Sequence, residues 1–150
     1  MARTLWHAML SGTFVAAAPG QPATAETLFH RAENQVPVAI VEIKRHAEFT
    51  EIHLEAQAVL TKVCFATGGP NRPYLLAAGR NYLYVGGDNV TTCPERRDYT
   101  QGDIMVLRFE PLAAGSSTFS FVSGQAGERQ SIDAVSPTTP YWNFLRVRLN

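Results

Sequence analysis

The sequence predicts an all-β domain, an antiparallel sandwich or barrel of seven to nine short strands with at most a short helix near its start. Three observations lead there. Apolar and polar residues alternate with period two in several segments, turn-forming residues recur at short intervals, and only one stretch admits a helix. A parallel α/β sheet needs long helices between strands, and this chain shows no such alternation.

The helical stretch is Glu26–Gln35, where Leu28, Phe29 and Ala32 would share a face and Pro37 would end the helix by excluding it from the preceding residue. Val38–Ile43 is β-branched and almost continuously apolar. In Phe49–Gln57, Ile52, Leu54 and Ala56 point one way and Glu51, His53 and Glu55 the other, which marks a half-buried strand. Only Arg45–Glu48 separates these two strands, so they form a hairpin. Val59–Phe65 is the next strand, followed by the loop Gly68–Pro73. Tyr74–Ala77 and Asn81–Val85 flank a tight turn at Ala78-Gly79-Arg80, and Gly86-Gly87-Asp88-Asn89 is expected to break the chain. Ile104–Phe109 is apolar on both sides, as in a central strand covered on two faces. Pro111 ends it. Phe119–Val122 is another strand, Gly124–Pro140 a long loop, and Leu145, Val147 and Leu149 alternate with arginines in a half-exposed last strand.

Residues 1–25 read as a secretory leader. Arg3 gives a positive start, Leu5–Ala18 is largely apolar or small, and Ala23-Thr24-Ala25 has the small-x-small pattern of a cleavage site. The domain organisation is then leader 1–25, linker or short helix 26–37 and β domain 38–150, in a periplasmic or secreted protein. Cys64 and Cys93 are the only two cysteines, an even count that export would oxidise to a disulfide.

The chain has 150 residues, 45% of them hydrophobic and 17% charged, enough apolar material to bury a core. Thirteen basic and thirteen acidic residues cancel. Without residues 1–25 only Arg3 is lost, leaving 12 against 13 and a net charge of −1. The pair Arg96-Arg97 is flanked by Glu95 and Asp98, so no basic field exists for nucleic acid. No apolar run reaches the roughly 20 residues of a membrane-spanning helix.

Catalytic and metal patterns are weak. There is no H-E-x-x-H, C-x-x-C or G-x-S-x-G spacing and no phosphate-cradling glycine loop. His46, Glu48 and His53 could approach across a hairpin, but two ligand-type residues near a turn are usually solvated. Glu51 and Glu55 lie about 13.6 Å apart along a strand, too far for a two-carboxylate mechanism, and read as solvated face charges. No metal, cofactor or catalytic residue is therefore assigned. Tyr82, Tyr84, Tyr99, Tyr141 and Trp142 are rings of the kind that line carbohydrate or peptide surfaces, and they define a candidate binding surface.

The ordered set Val41-Glu42, Thr50, Pro73-Tyr74-Leu75, Gly79-Arg80-Asn81-Tyr82, Gly102-Asp103, Leu107-Arg108-Phe109-Glu110-Pro111-Leu112, Phe119-Ser120-Phe121-Val122-Ser123-Gly124 and Trp142-Asn143-Phe144 resembles a family of uncharacterised bacterial extracytoplasmic domains with an FEPL…FxFxxG…W signature. The resemblance spans Val38 to Leu149. It implies an immunoglobulin-like β-sandwich acting as an accessory module, and it carries no catalytic residue or cofactor. Ser123 stands where the family often has an acid, and Cys64 and Cys93 lie outside its signature. The expectation is an exported, non-enzymatic domain working through an unknown protein or envelope partner. The alternative is a small-ligand or glycan module using the tyrosines and the Gly124–Pro140 loop.

Overall fold

The computed structural model describes residues 23–33, 36–123 and 142–150. These residues form ten β-strands and no helix: β1 (Thr24–Arg31), β2 (Val38–Arg45), β3 (Thr50–Ala56), β4 (Leu60–Val63), β5 (Tyr74–Ala77), β6 (Arg80–Asp88), β7 (Arg97–Tyr99), β8 (Ile104–Phe109), β9 (Thr118–Val122) and β10 (Phe144–Arg148). The all-β antiparallel reading therefore holds. The layers differ from two separate sheets. Eight strands make one continuous antiparallel sheet in the order β1-β2-β3-β8-β6-β5-β9-β10, while β4 and β7 pair with each other alone. The sheet curls until its edges approach. The Glu33 amide donates to the Asn143 carbonyl at 2.9 Å, and the Glu26 carboxylate accepts from the Asn150 amide at 2.9 Å. Such curling removes most of the free strand edge that an open sheet would expose.

Several local expectations change. The segment read as helical is β1, paired to β2 from Thr24↔Arg45 onward. Its exposure alternates, so Leu28 packs against the core while Phe29, expected on the same face, points outward and is 57% exposed. Pairing decides this: β2 would otherwise lie at the sheet edge with unpaired backbone groups. Gly86 and Gly87 do not break the chain. β6 runs through them to Asp88 with a register shift, and Gly87 lies so close to β8 that a Cβ would run into the Val106 carbonyl oxygen. β8 is central, but only Met105, Leu107 and Phe109 are buried. Ile104, Val106 and Arg108 are half-exposed, because a curled single sheet has only one inner face. In β10 a register shift with Arg146 at φ 53° turns Leu145 away from the side that Val147 occupies. The long loop Gly124–Pro140 lies outside the described residues.

Other readings are met closely. β2 and β3 form the expected hairpin, closed where the His46 amide donates to the Phe49 carbonyl at 2.9 Å. The β5–β6 turn has Ala78 at φ 48° and Gly79 at φ 75°, the two positive angles a tight two-residue hairpin needs. The core is a run of edge-on rings, Tyr84–Phe109–Phe121–Phe144, with centroids 5.8, 5.5 and 5.4 Å apart. Around them pack Ile40, Ile43, Ile52, Leu54, Leu75 and Met105, all fully buried.

The antiparallel order sends the connections β1–β2, β3–β5, β6–β8 and β9–β10 out at one end of the sheet. The turns β2–β3, β5–β6 and β8–β9 leave at the other. The β4–β7 pair belongs to the long-connection end, built from residues 57–73 and 89–103.

Candidate functional site

On the outer face of β2, β3 and β8 the register gathers a polar cluster. Glu51 stands opposite Arg108 on one side and Lys44 on the other, and His53 stands opposite Glu42. Period two puts Glu51 and His53 on one face, and the short hairpin brings His46 back over them. The Arg108 Nε donates to Glu51 Oε1 at 3.0 Å, and its terminal nitrogens reach the Asp88 carboxylate. The Nδ1 of His53 is 3.0 Å from Glu42 Oε2, and its Nε2 is 3.4 Å from Glu51 Oε2. The Nε2 of His46 is 3.6 Å from the same Glu51 oxygen, and the His46 ring stacks on Phe49 with centroids 4.2 Å apart. Lys44 pairs with Glu42 at 3.3 Å.

Glu51 is the hub and is almost buried, its side chain only 11% exposed. Burial by itself would raise its pKa. The hydrogen bonds from Arg108 and His53, with the charges of Arg108 and His46, outweigh burial and hold the carboxyl below its ordinary value. Arg108 is shifted upward by the same Glu51 hydrogen bond and by Asp88. Glu51 is thus not the solvated face charge the strand pattern suggested. His46 and His53 do converge, on Glu51 rather than on the exposed Glu48. Among the described residues no group of three His, Cys, Asp or Glu side chains is arranged to hold a metal ion. The cluster fastens three strands through cross-strand ion pairs. The sequence signal for Glu51 was the hairpin, which put a histidine, a carboxylate and a second histidine on one face; Arg108 comes from a strand more than fifty residues away and left no local trace.

The aromatic surface is corrected. Tyr82, Tyr84, Tyr99 and Trp142 are 3%, 1%, 1% and 7% exposed and belong to the core, while Tyr141 lies outside the described residues. Strand parity turns Tyr82 and Tyr84 inward, opposite Leu75 and Phe109. The Tyr99 hydroxyl is satisfied by the Asn89 carbonyl at 2.8 Å. Burial raises the pKa of both Tyr84 and Tyr99, so their phenols stay protonated at neutral pH.

The disulfide reading holds. Cys64 and Cys93 are bonded, with Cα atoms 5.0 Å apart, and neither cysteine is free. The bond joins the two connections that carry β4 and β7. At the opposite end of the sheet, an open cleft of about 520 Å³ lies between Thr24, Glu26, Thr27, Arg45 and Asn150. Among the described residues no helix is long and apolar enough to cross a membrane. Comparison with family models, curated proteins and solved structures finds no match to this chain.

Proposed function

We propose that the protein is an exported, disulfide-stapled β domain that acts without catalysis, by associating through its outer surface with a protein or envelope component. The observation that carries this reading is the filled interior. The edge-on rings from Tyr84 to Phe144 occupy the space that a ligand-carrying barrel would leave open, so recognition falls to side chains pointing outward. The disulfide supports an oxidising compartment, periplasmic or secreted. Outward apolar side chains offer contact points. Val85 on β6 and Phe29 on β1 are 54% and 57% exposed. The accessory-module role implied by the sequence resemblance agrees with this reading.

A photo-crosslinking residue placed in turn at Val85, Phe29 and, as a control on the ion-paired face, Glu55 tests it in cells that secrete the full chain. A discrete adduct is expected at position 85 or 29 and none at 55. No adduct at any position, together with saturable binding of the purified chain to one sugar on a glycan array, would overturn it.

A further inference from the structure

The β4–β7 pair is a flap over the long-connection end of the sheet. Its backbone holds itself together. The Phe65 amide donates to the Thr91 carbonyl at 2.9 Å, the Cys93 amide to the Phe65 carbonyl at 3.2 Å, and the Lys62 amide to the Asp98 carboxylate at 2.7 Å. Its described hydrogen bonds to the eight-stranded sheet sit at its roots. Gly102 and Asp103 bond to Ala56, the Asn89 side chain bonds to the Ile104 carbonyl, and Arg72 and Pro73 bond to Tyr84. Between those roots the flap contributes Leu60, Phe65 and Tyr99 to the interior, and Phe65 is the ring that meets both Tyr84 and Trp142. Phe65, 4% exposed, rests on Tyr84 at 5.9 Å and stands edge-on to Trp142 at 5.5 Å.

We propose that the Cys64–Cys93 disulfide locks this flap as a lid, and that a thiol reductant releases it so that the wall of Tyr84 and Trp142 takes a planar apolar ring from a ligand in place of Phe65. The site the lid covers is already shaped for a ring, because a ring fills it now. Edge-on and tilted contacts suit any aromatic group of similar size. Both cysteines are half-buried rather than sealed, so a small thiol can reach the bond. In the step itself a reductant thiolate attacks one sulfur and forms a mixed disulfide. The second reductant thiol then displaces the protein thiolate. Cys64 and Cys93 gain two electrons and two protons, and the reductant leaves as its own disulfide. The bond closes a 29-residue separation, for which the chain-entropy model gives about 3.6 kcal/mol. Most of that constraint falls on the flap, since both sulfurs belong to its two segments.

The experiment compares the oxidised full chain with the same chain in dithiothreitol, and with the Cys64→Ser/Cys93→Ser variant, using toluene as the ring probe and amide NMR as the readout. Reduction is expected to shift resonances of residues 57–73 and 89–103 while the amides of β2, β3 and β8 stay protected from exchange. Toluene should then bind at least about tenfold more tightly than to the oxidised chain. Its shifts should centre on Tyr84 and Trp142, and the double variant should behave in the same way without reductant. Equal toluene affinity in the two states would overturn the proposal, because the lid would then cover no site. Loss of protection in β2, β3 and β8 together with the flap would also overturn it, because the flap would not be separable. Surface crosslinking at Val85 or Phe29 is independent of either result, so failure here leaves the outer-surface reading standing.

Discussion

Replacing Glu51 with glutamine keeps the shape of the side chain and removes its charge. The wild-type carboxylate takes a 3.0 Å hydrogen bond from Arg108 and faces His53 and His46. A hydrogen bond to a charged group contributes about 1.5–3 kcal/mol when its partner is left behind. Two facts place this case in the lower half of that range. Arg108 is one third exposed and keeps Asp88, and His53 keeps Glu42. The expected loss is about 2 kcal/mol at pH 7, or roughly 6–10 °C in melting temperature for a domain of this size. The pH dependence has a definite sign. Glu51 is more acidic folded than unfolded, so its contribution is whole above the ordinary value of 4.5 and is lost as the pH falls through the lower folded value. Urea unfolding of wild type and Glu51→Gln at pH 7, 5 and 3, followed by circular dichroism, measures the gap directly. It should be present at pH 7 and at pH 5 and shrink at pH 3, below the ordinary value of 4.5. A gap that is absent at pH 7, or the same size at pH 3 as at pH 7, would refute the hub role.

Three further outcomes follow from packing. Phe121→Ala removes a fully buried ring that stands edge-on to both Phe109 and Phe144, and should lower the unfolding free energy by about 3–5 kcal/mol in a urea titration. Gly87→Ala drives a methyl into the Val106 carbonyl and to 3.0 Å from the Val90 side chain, so it should cost far more stability than Gly79→Ala, where φ is 75° but no atom lies within 4 Å. In Glu26→Gln/Glu33→Gln the carboxylates that accept from Asn150 and Leu145 are weakened, so hydrogen exchange at those two amides should quicken while the urea midpoint barely moves.

The body of the fold was legible where local rules decide. Alternation in Phe49–Gln57 and the Ala78-Gly79 turn set two hairpins without reference to the rest of the chain. What was not legible depends on partners distant in sequence. Leu28-Phe29 next to each other fits a helix face or two sides of a strand equally well, and only the presence of β2 decides. Gly86-Gly87 looks like a break in isolation and becomes a close approach only when β8 lies beside it. The tyrosines failed for a related reason. Their type suits a surface or a core, and strand parity assigned Tyr82 and Tyr84 to the side of Leu75 and Phe109. The disulfide was readable from count and compartment, but its position on a flap was not, because β7 is three residues long and carries no periodic signal.

That position bears on what the bond is for. The eight-stranded sheet has a continuous interior of interlocked rings and aliphatic side chains, and a domain of this size needs no staple to bury enough apolar surface. A cross-link between two sheet strands would add to a region that packing already holds. This one ties together two connections whose own strands, β4 and β7, span four and three residues and pair with nothing else. A two-stranded pair that short is marginal in water by itself, so the bond adds to the hold that the buried Leu60, Phe65 and Tyr99 give this element. The disulfide thus ties together the two segments that bring Leu60, Phe65 and Tyr99 into the core rather than two strands of the sheet, so the proposed redox step belongs to the long-connection end and leaves the ion-paired face of β2, β3 and β8 outside it.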